Sequence, residues 1–434
     1  MTTDKPRLGI GMVGYAFMGA AHSQAWRTAG RFFDLPYQVD MTVVAGRDPV
    51  ATQAAAQRLG WASIESDWRQ LVSRADVDLV DICTPGDTHA QIAIAALAAG
   101  KHVLCEKPLA NSVAEAEEMV SAASAAAERG VRSMVAFNYR RVPALALARR
   151  IVAQGRLGTL RHIRAQYLQD WIVDPQFPLV WRLQRDRAGS GALGDIGAHI
   201  VDAAQYVAGQ TVVGVSALTE TFVKQRPLLA GVTGGLSATG GEETGEVTVD
   251  DAALFTARFS EGAVGVFEAT RFATGRKNAW RLEVNGSLGS VAFDFDAMNE
   301  LQFHDGAAGG DLGGFTRIQV TEPTHPYVGA WWPPGHPIGY EHTFTHEVVD
   351  LLRDVSAGAD PSPSFADGLQ VQRVLAAVES SAARNSLWTP VGPESSAGGG
   401  TDPASGSVAG SGSGSGSGAV AGTDLPLADP VPRS

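Results

Sequence analysis

The sequence predicts an α/β fold: an N-terminal doubly wound parallel sheet, followed by an α+β domain with a large, mostly antiparallel open sheet. Two patterns lead to this prediction. Apolar strand-like runs alternate with helical runs from residue 7 to residue 133, which is typical of a parallel sheet covered by helices on both faces. Between residues 212 and 319, four or five strand-like runs are separated by short turns that contain glycine, which indicates an antiparallel meander.

In the first region, glycines and small polar residues mark the ends of the predicted helices. Gly60, Gly100 and Gly130 stand where helices would end, because glycine readily adopts the conformation of a C-cap. Ser66 or Asp67 would cap the short helix that follows. The predicted strands span residues 7–14, 40–47, 77–85, 102–108 and 132–140. The predicted helices span residues 19–28, 49–60, 66–72, 88–99 and 112–128.

The second region combines predicted helices with the strands of the meander. The clearest strands span residues 252–260, 263–272, 279–286 and 289–295. The helices span residues 143–154, 195–207, 341–355 and 365–385. Residues 226–249 form a glycine-rich insert that is predicted to be a loop.

These patterns divide the chain into three parts. Residues 1–133 are predicted to be a nucleotide-binding domain, and residues 134–392 a domain for substrate binding and oligomerisation. Residues 393–434 are rich in glycine and serine and contain no aromatic residue. We expect this tail to be disordered, because it cannot bury enough apolar surface to offset its conformational entropy.

Composition narrows the class of partner. The 434 residues carry a net charge of −12, which argues against nucleic-acid binding. Cys83 and Cys105 both lie in apolar strand-like runs, as expected of reduced thiols in a cytoplasmic protein. No signal peptide and no membrane-spanning run are apparent. We therefore predict a cytoplasmic protein that acts on a small molecule.

The turn after the first strand resembles a dinucleotide-binding fingerprint. The pattern G-x-G-x-x-G is matched here by Gly14-Tyr15-Ala16-Phe17-Met18-Gly19. Alanine replaces the second glycine, which normally lets the backbone approach the pyrophosphate. Because the turn lies between the first strand and a helix, we predict a Rossmann-type site in which Gly14, Ala16, Phe17 and Met18 contact the cofactor.

The end of the second strand bears on the choice between NAD and NADP. An acidic residue there would bind the ribose hydroxyl of NAD, but this strand ends in Gly46-Arg47. A small residue followed by arginine suits the 2′-phosphate of NADP, so NADP is favoured over NAD. Asp48 would then cap the next helix. The alternative is that Arg47 is only a solvated charge.

Two later strand ends complete the predicted cofactor edge. Thr84 and Pro85 end the predicted strand at 77–85, where they would lie against the cofactor, and His89 begins the next helix. His89 is either a cofactor contact or a packing histidine. Lys107 lies at the carboxyl end of the predicted strand at 102–108, on the edge where the nicotinamide would lie. It could bind a substrate hydroxyl, while Glu106 would position it or contact the cofactor ribose.

A second group of candidates lies in the stretch "GSGALGDIGAHIVD". Asp195 and His199 are four residues apart, so they would face the same side of a helix. Imidazole is suited to general acid–base chemistry, and the preceding glycines would allow close approach to a ligand. The alternative is a surface pair of aspartate and histidine. No tight cluster of metal ligands is apparent, so no metal is predicted.

The combination of "EKP" at the end of the predicted strand at 102–108 with "GDIGAH" in the second region resembles the Gfo/Idh/MocA oxidoreductase family, over about residues 7–390. The stretches "VAFNYRR", "YLQDW", "AGSGALGDI" and "SPSFADG" are most similar to its levoglucosan dehydrogenase-like members. The resemblance implies oxidation of a secondary hydroxyl of a sugar, anhydrosugar or cyclitol, with a homodimer or homotetramer formed through the second domain. It also implies Lys107 and His199 as catalytic residues, Asp195 as their partner, and a sugar pocket lined by Asn138, Arg140, Gln169 and Asp170.

Two other functions share this fold. One is a regulator that senses NAD(P) without catalysis, although a sensor has no need of Lys107, Asp195 and His199 together. The other is a lyase that cleaves glycosides through a transient keto intermediate. Such a lyase would release an aglycone without net reduction of the cofactor.

Overall fold

The first sheet has six parallel strands, in a computed structural model that describes residues 5–234, 237–307 and 313–392. The predicted tail at 393–434 lies outside these residues. The strands are β1 (Arg7–Val13), β2 (Gln38–Ala45), β3 (Ser63–Glu65), β4 (Leu79–Ile82), β5 (His102–Glu106) and β6 (Ser133–Ala136). The strand order is β3-β2-β1-β4-β5-β6, which is the Rossmann order with its switch point between β1 and β4. Only β3 had no counterpart in the sequence prediction, because three residues carry too little pattern.

Five helices connect these strands, and their ends follow the capping residues of the sequence. Asp48 and Asp67 accept hydrogen bonds from the first-turn amides of their helices, and Ser112 does the same. Gly60 ends the second helix with a φ of 84°. The helices are α1 (Phe17–Phe32), α2 (Pro49–Leu59), α3 (Trp68–Ser73), α4 (His89–Ala98) and α5 (Val113–Ala127).

A second sheet of nine strands lies in the remaining described part of the chain. It comprises all later strands except a separate pair, β9 and β10. The strands of this region are β7 (Leu160–Leu168), β8 (Val212–Glu220), β9 (Gln225–Gly234), β10 (Ser237–Glu246), β11 (Ala252–Phe259), β12 (Val264–Thr270), β13 (Ala279–Gly286), β14 (Gly289–Asp294), β15 (Glu300–Asp305), β16 (Thr316–Gln319) and β17 (Thr389–Pro390).

The sheet order is β16-β15-β14-β13-β7-β12-β11-β8-β17. All neighbours are antiparallel except β7 and β12. The predicted meander is therefore interrupted, because β7 lies between β12 and β13. Burial alternates along β11, so one face of the sheet is covered and the other is open.

The insert was predicted to be a loop, and this prediction is wrong. β9 and β10 pair as an antiparallel ribbon, and the ribbon is anchored by the fully buried Arg226. Its guanidinium donates to the carbonyls of Ile172, Asp174 and Phe177 at 2.6, 2.8 and 3.1 Å. This long-range anchoring has no signal in the local glycine-rich sequence.

The remaining helices pack on both sheets. They are α6 (Pro143–Ala153), α7 (Arg185–Ala188), α8 (Ala198–Ala208), α9 (Tyr340–Ala357) and α10 (Phe365–Ala383). Although α9 follows the second sheet in sequence, Phe344, Val348 and Leu352 pack with Ile10 and Trp26 in the core beside the first sheet. A helix from late in the chain therefore helps to build the core beside the first sheet. No helix of the described residues is long and apolar enough to span a bilayer.

Candidate active site

The loop after β1 has the geometry of a phosphate-binding turn. Gly14 has a φ of 96°, and a Cβ there would lie 2.7 Å from the carbonyl oxygen of Cys83. The helix α1 begins at Phe17, and Ala16 at its N-cap offers no side-chain acceptor. The first-turn amides, including that of Met18, therefore lack an intrahelical partner and can bind an anion. These residues fit a dinucleotide pyrophosphate.

The end of β2 is shaped by Tyr15. A Cβ on Gly46 would lie 2.1 Å from Cε1 of Tyr15, so an acidic side chain at this position would require Tyr15 to move. Asp48 Oδ1 accepts hydrogen bonds from two amides of α2 at 2.9 and 3.1 Å, which is its predicted capping role. Arg47 is exposed and makes no hydrogen bond or ion pair with the described residues. Its guanidinium is therefore available at the edge where an adenosine ribose would lie.

Beyond β4, Thr84 and Pro85 lie at the predicted edge of the sheet, and the contacts of His89 fit the packing role better than the cofactor contact. Its imidazole is buried, with Nδ1 3.0 Å from the carbonyl oxygen of Pro108 and Nε2 2.9 Å from that of Thr84. Both ring nitrogens are thus used. His89 braces the loops after β4 and β5 against each other.

Glu106 ends β5 with both carboxylate oxygens engaged. Oε1 lies 3.0 Å from Nε2 of His22, and Oε2 accepts the backbone amide of Lys107 at 3.0 Å. Of the two roles open from the sequence, positioning of Lys107 fits these contacts better than binding of the cofactor ribose.

Lys107, Asp195 and His199 come together at the carboxyl edge of the first sheet. Lys107 Nζ donates to the carbonyl oxygen of Asp195 at 2.5 Å and lies 3.6 Å from its Oδ1. The imidazole of His199 makes no hydrogen bond within the described residues, and its Nδ1 is buried. A buried polar ring without a partner is costly, so the imidazole of His199 is a candidate to bind a polar group.

The backbone that carries Asp195 is not a regular α-helix. Residues Leu193–Gly197 form a π-helical turn that leads into α8, and such turns are frequent at functional sites. Asp250 holds its start, because its carboxylate accepts the amides of Gly191 and Leu193 at 2.7 and 2.8 Å. A Cβ on Gly191 would lie 1.7 Å from the carbonyl oxygen of Asp250. This glycine thus makes room for protein backbone rather than for a ligand, contrary to the sequence interpretation.

Charge around Asp195 sets the protonation of the site. Burial alone would raise the pKa of Asp195, but Lys107, Arg182 and Arg271 lower it to about 2. Burial and the nearby Lys107 hold the pKa of His199 well below its ordinary value, although Asp195 opposes this effect. At neutral pH the carboxylate is therefore ionised and the imidazole is neutral, which leaves His199 able to accept a proton.

Arg182 is a cation that sequence reasoning missed. Its half-buried guanidinium lies over the ring of Trp181, 4.5 Å from the centroid, and is close enough to Asp195 to affect the pKa of that carboxyl. In the described part of the chain it has no hydrogen-bond acceptor and no ion pair within 4.0 Å. Arg271, in contrast, is fully buried and lies 3.5 Å from Oδ2 of Asp195.

A network of polar side chains borders His199. The hydroxyls of Tyr139 and Tyr167 are 2.8 Å apart, and Tyr167 donates to Asn278 Oδ1 at 2.8 Å. Gln169, a predicted pocket residue, donates to the same oxygen at 2.7 Å. The ring of Tyr139 lies 4.7 Å from that of His199, centroid to centroid. Gln169 is therefore joined to His199 through tyrosines that had not been predicted.

The other three predicted pocket residues have structural partners. The buried amide of Asn138 donates to a threonine hydroxyl on α9 at 2.9 Å. Arg140 is buried in a bidentate ion pair with Asp202, with a shortest distance of 2.6 Å. Asp170 pairs with the exposed Lys277 at 2.8 Å. These contacts leave Arg140 no place in a sugar pocket, because its donors are already used within the protein core.

Comparison with known proteins identifies the family of the chain. Residues 8–137 match the model of the oxidoreductase family with an NAD-binding Rossmann fold, and residues 145–292 match the GFO/IDH/MocA C-terminal domain. The levoglucosan dehydrogenase of Pseudarthrobacter phenanthrenivorans is 42% identical over 388 residues, which are 88% of this chain and 98% of that protein. The chain belongs to the Gfo/Idh/MocA oxidoreductase family. The resemblance noted in the sequence is thereby confirmed.

Solved structures of this oxidoreductase family share the fold. An oxidoreductase domain protein from Kribbella flavida is 63% identical, with a TM-score of 0.85, and the match covers 89% of this chain and 100% of that one. A levoglucosan dehydrogenase in complex with NADH and levoglucosan is 41% identical, with a TM-score of 0.83, and the match covers 89% and 99%. The Rossmann sheet and the mostly antiparallel second sheet predicted from the sequence are confirmed.

Proposed function

We propose that this oxidoreductase is an NAD(P)-dependent dehydrogenase that oxidises a secondary hydroxyl of a sugar, anhydrosugar or cyclitol. One observation carries the proposal. An amine, an ionised carboxylate and an unpartnered neutral imidazole meet at the carboxyl edge of a dinucleotide-binding sheet. Oxidation of an alcohol requires a proton acceptor beside a hydride acceptor, and bound nicotinamide would supply the latter.

Each of the three groups has a distinct role. His199 is the general base that accepts the hydroxyl proton, since it is neutral and its ring makes no hydrogen bond with the described residues. Lys107 donates a hydrogen bond to the same substrate oxygen and stabilises the alkoxide that develops there. It also joins the proton relay. Asp195 stays ionised and fixes the ammonium of Lys107 through its carbonyl and its carboxylate.

The substrate class is supported by the polar groups around His199. Gln169, Asn278 and the tyrosine hydroxyls form a rim of donors and acceptors, as a polyhydroxylated ring requires. Arg182 adds a guanidinium that has no hydrogen-bond acceptor among the described residues. The similarity to levoglucosan dehydrogenase makes an anhydrosugar the first candidate.

For the cofactor, we propose that NADP is preferred. Arg47 is exposed and unpaired, and Tyr15 fills the place of the acidic residue that an NAD ribose would need. Guanidinium binds phosphate well. The levoglucosan dehydrogenase of known structure is in complex with NADH, so both cofactors must be compared. In an Arg47→Ala variant, kcat/KM with NADP should fall about tenfold or more, and kcat/KM with NAD should stay unchanged.

We further propose a homodimer or homotetramer in the cytoplasm. The open face of the second sheet exposes Leu218, Leu254, Val264 and Val266, and a contiguous apolar patch of this kind favours association. Cys83 and Cys105 are free and buried, which suits a reducing compartment. Light scattering on the purified chain, and on a Leu254→Glu variant, tests the assembly.

The activity test is the absorbance at 340 nm with each cofactor and levoglucosan, glucose or myo-inositol. We expect reduction of a cofactor with at least one of them, and its loss in Lys107→Ala. Full turnover by Lys107→Ala would contradict the assignment of that lysine. Cofactor binding without reduction of any polyol would favour the sensor instead. Release of an aglycone without net reduction would favour the lyase.

A further inference from the structure

Behind the catalytic lysine lies a buried charged chain that the proposed mechanism does not use. His22, on α1, stands between Asp81 of β4 and Glu106 of β5, and all three are buried. His22 Nδ1 lies 3.0 and 3.1 Å from the two oxygens of Asp81, and Nε2 lies 3.0 Å from Oε1 of Glu106. Because carboxylates only accept, both ring nitrogens donate, and the imidazole is a cation between two anions.

Charge and packing keep this arrangement fixed. Burial opposes the cationic form of His22, but Asp81 outweighs it and raises the pKa of the imidazole. Trp26 Nε1 donates to Asp81 at 2.7 Å, and the Cys83 thiol lies 3.4 Å from the same carboxylate. Buried ion pairs of this kind cost several kcal/mol of desolvation. A purely structural purpose would be served better by apolar residues.

The chain of contacts ends at the catalytic lysine. Glu106 receives His22 on one oxygen and the backbone amide of Lys107 on the other. At its other end, His22 belongs to the helix that begins at the phosphate loop. One imidazole therefore connects the element that would hold the cofactor pyrophosphate with the residue that would hold the substrate oxygen.

We propose that His22 is a positioning residue, which fixes Lys107 relative to the cofactor loop through Glu106. The proposal rests on the dehydrogenase function stated above. If Glu106 loses the donor at Oε1, its carboxylate can reorient and release the Lys107 amide. Displacement of a catalytic group by about 1 Å can cost a hundredfold in rate, so turnover is the sensitive quantity.

Two substitutions of His22 separate its hydrogen bond to Asp81 from its hydrogen bond to Glu106. In His22→Asn the side-chain amide nitrogen takes the place of Nδ1, so the bond to Asp81 is kept and the bond to Glu106 is lost. In His22→Gln the amide nitrogen reaches toward the place of Nε2, so the bond to Glu106 is kept. Trp26→Phe is the matched control, since it removes a hydrogen bond to Asp81 without touching the link to Glu106.

We expect His22→Asn to lower kcat at least about tenfold, with little change in KM, and His22→Gln to lower it less. Trp26→Phe should lower stability more than turnover. Equal losses of kcat in the Asn and Gln variants would show a packing role only and overturn the proposal, as would an Asn variant with the kcat of the wild type.

A second measurement does not depend on turnover. The chain has five lysines, so selective ¹⁵N-lysine labelling gives few amide signals, and Lys107→Arg identifies that of Lys107. His22→Asn should shift this signal, whereas His22→Gln and Trp26→Phe should leave it near its wild-type position. An unshifted signal in His22→Asn would refute the proposal. If the wild-type protein oxidises no polyol, the proposed function fails, and the amide signal alone decides the role of His22.

Discussion

Glu347 provides a quantitative test of the electrostatics beside this charged chain. Its carboxyl lies on α9, is fully buried, and has no hydrogen-bond partner for either oxygen among the described residues. Burial is the main reason that its pKa rises from 4.5 to about 8, and Glu106 and Asp81 add to the effect while Arg141 and His22 oppose it. The folded protein therefore keeps this carboxyl protonated at neutral pH.

The pKa difference determines how stability depends on pH. Above pH 4.5 the unfolded chain releases this proton, whereas the folded protein keeps it until about pH 8. The stabilisation is therefore complete below pH 4.5 and is lost as the pH rises toward 8. At about 1.4 kcal/mol per pKa unit, the loss amounts to about 5 kcal/mol. Glu347→Gln removes the titration, so its stability relative to the wild type should increase by this amount across the same interval.

The assay is denaturant unfolding of the wild type and Glu347→Gln at pH 5 and pH 8.5. The quantity to compare is the free energy of unfolding of Glu347→Gln minus that of the wild type. At pH 5 this difference should exceed its value at pH 4.5 by less than about 1 kcal/mol. At pH 8.5 it should exceed that value by several kcal/mol. Glu118→Gln, an exposed position on α5, is the control and should show no such trend. A difference between Glu347→Gln and wild type that is the same at both pH values would refute the reasoning.

Three further substitutions test the site. His199→Gln should lower kcat by about a hundredfold or more, because the general base is lost, while the affinity for cofactor measured by fluorescence titration stays constant; a kcat within threefold of wild type would exclude His199 as the base. Arg182→Met should raise KM for the sugar about tenfold through the loss of a charged hydrogen-bond donor, with Arg185→Met, whose exposed guanidinium pairs with Glu379, as the control; equal KM values in both variants would remove Arg182 from the pocket. Asp250→Asn weakens the hydrogen bonds to two amides at the start of the π-helical turn. It should lower the stability by about 1–3 kcal/mol, and with it the melting temperature and kcat. An unchanged melting temperature would contradict this anchoring role.

Local patterns in the sequence were enough to predict the first sheet and the helices that connect its strands. Strand and helix alternation, with caps such as Asp67 and Gly60, led to the parallel sheet because these signals depend only on neighbouring residues. The same is true of the phosphate loop at Gly14. Placement of Lys107 followed from a general rule that ligands bind at the carboxyl ends of parallel strands. The roles proposed for these residues remain to be measured.

Errors arose where side chains meet across long sequence distances. Arg140 lies in a stretch typical of a sugar pocket, yet its partner Asp202 is 62 residues away. The ribbon of β9 and β10 was read as a loop, since a glycine-rich stretch carries no sign of the buried Arg226 that anchors it.

The sequence by itself determined most elements of the first sheet, their order, and the edge of that sheet at which ligands are expected. The tertiary structure alone decided which polar groups are already used and which are left free. His89, Arg140 and Asp170 have their hydrogen bonds within the protein, whereas His199 and Arg182 have none within the part of the chain that the structure describes. The physical reason is that a buried polar group must find a partner, and that partner is supplied by the fold rather than by the neighbouring residues.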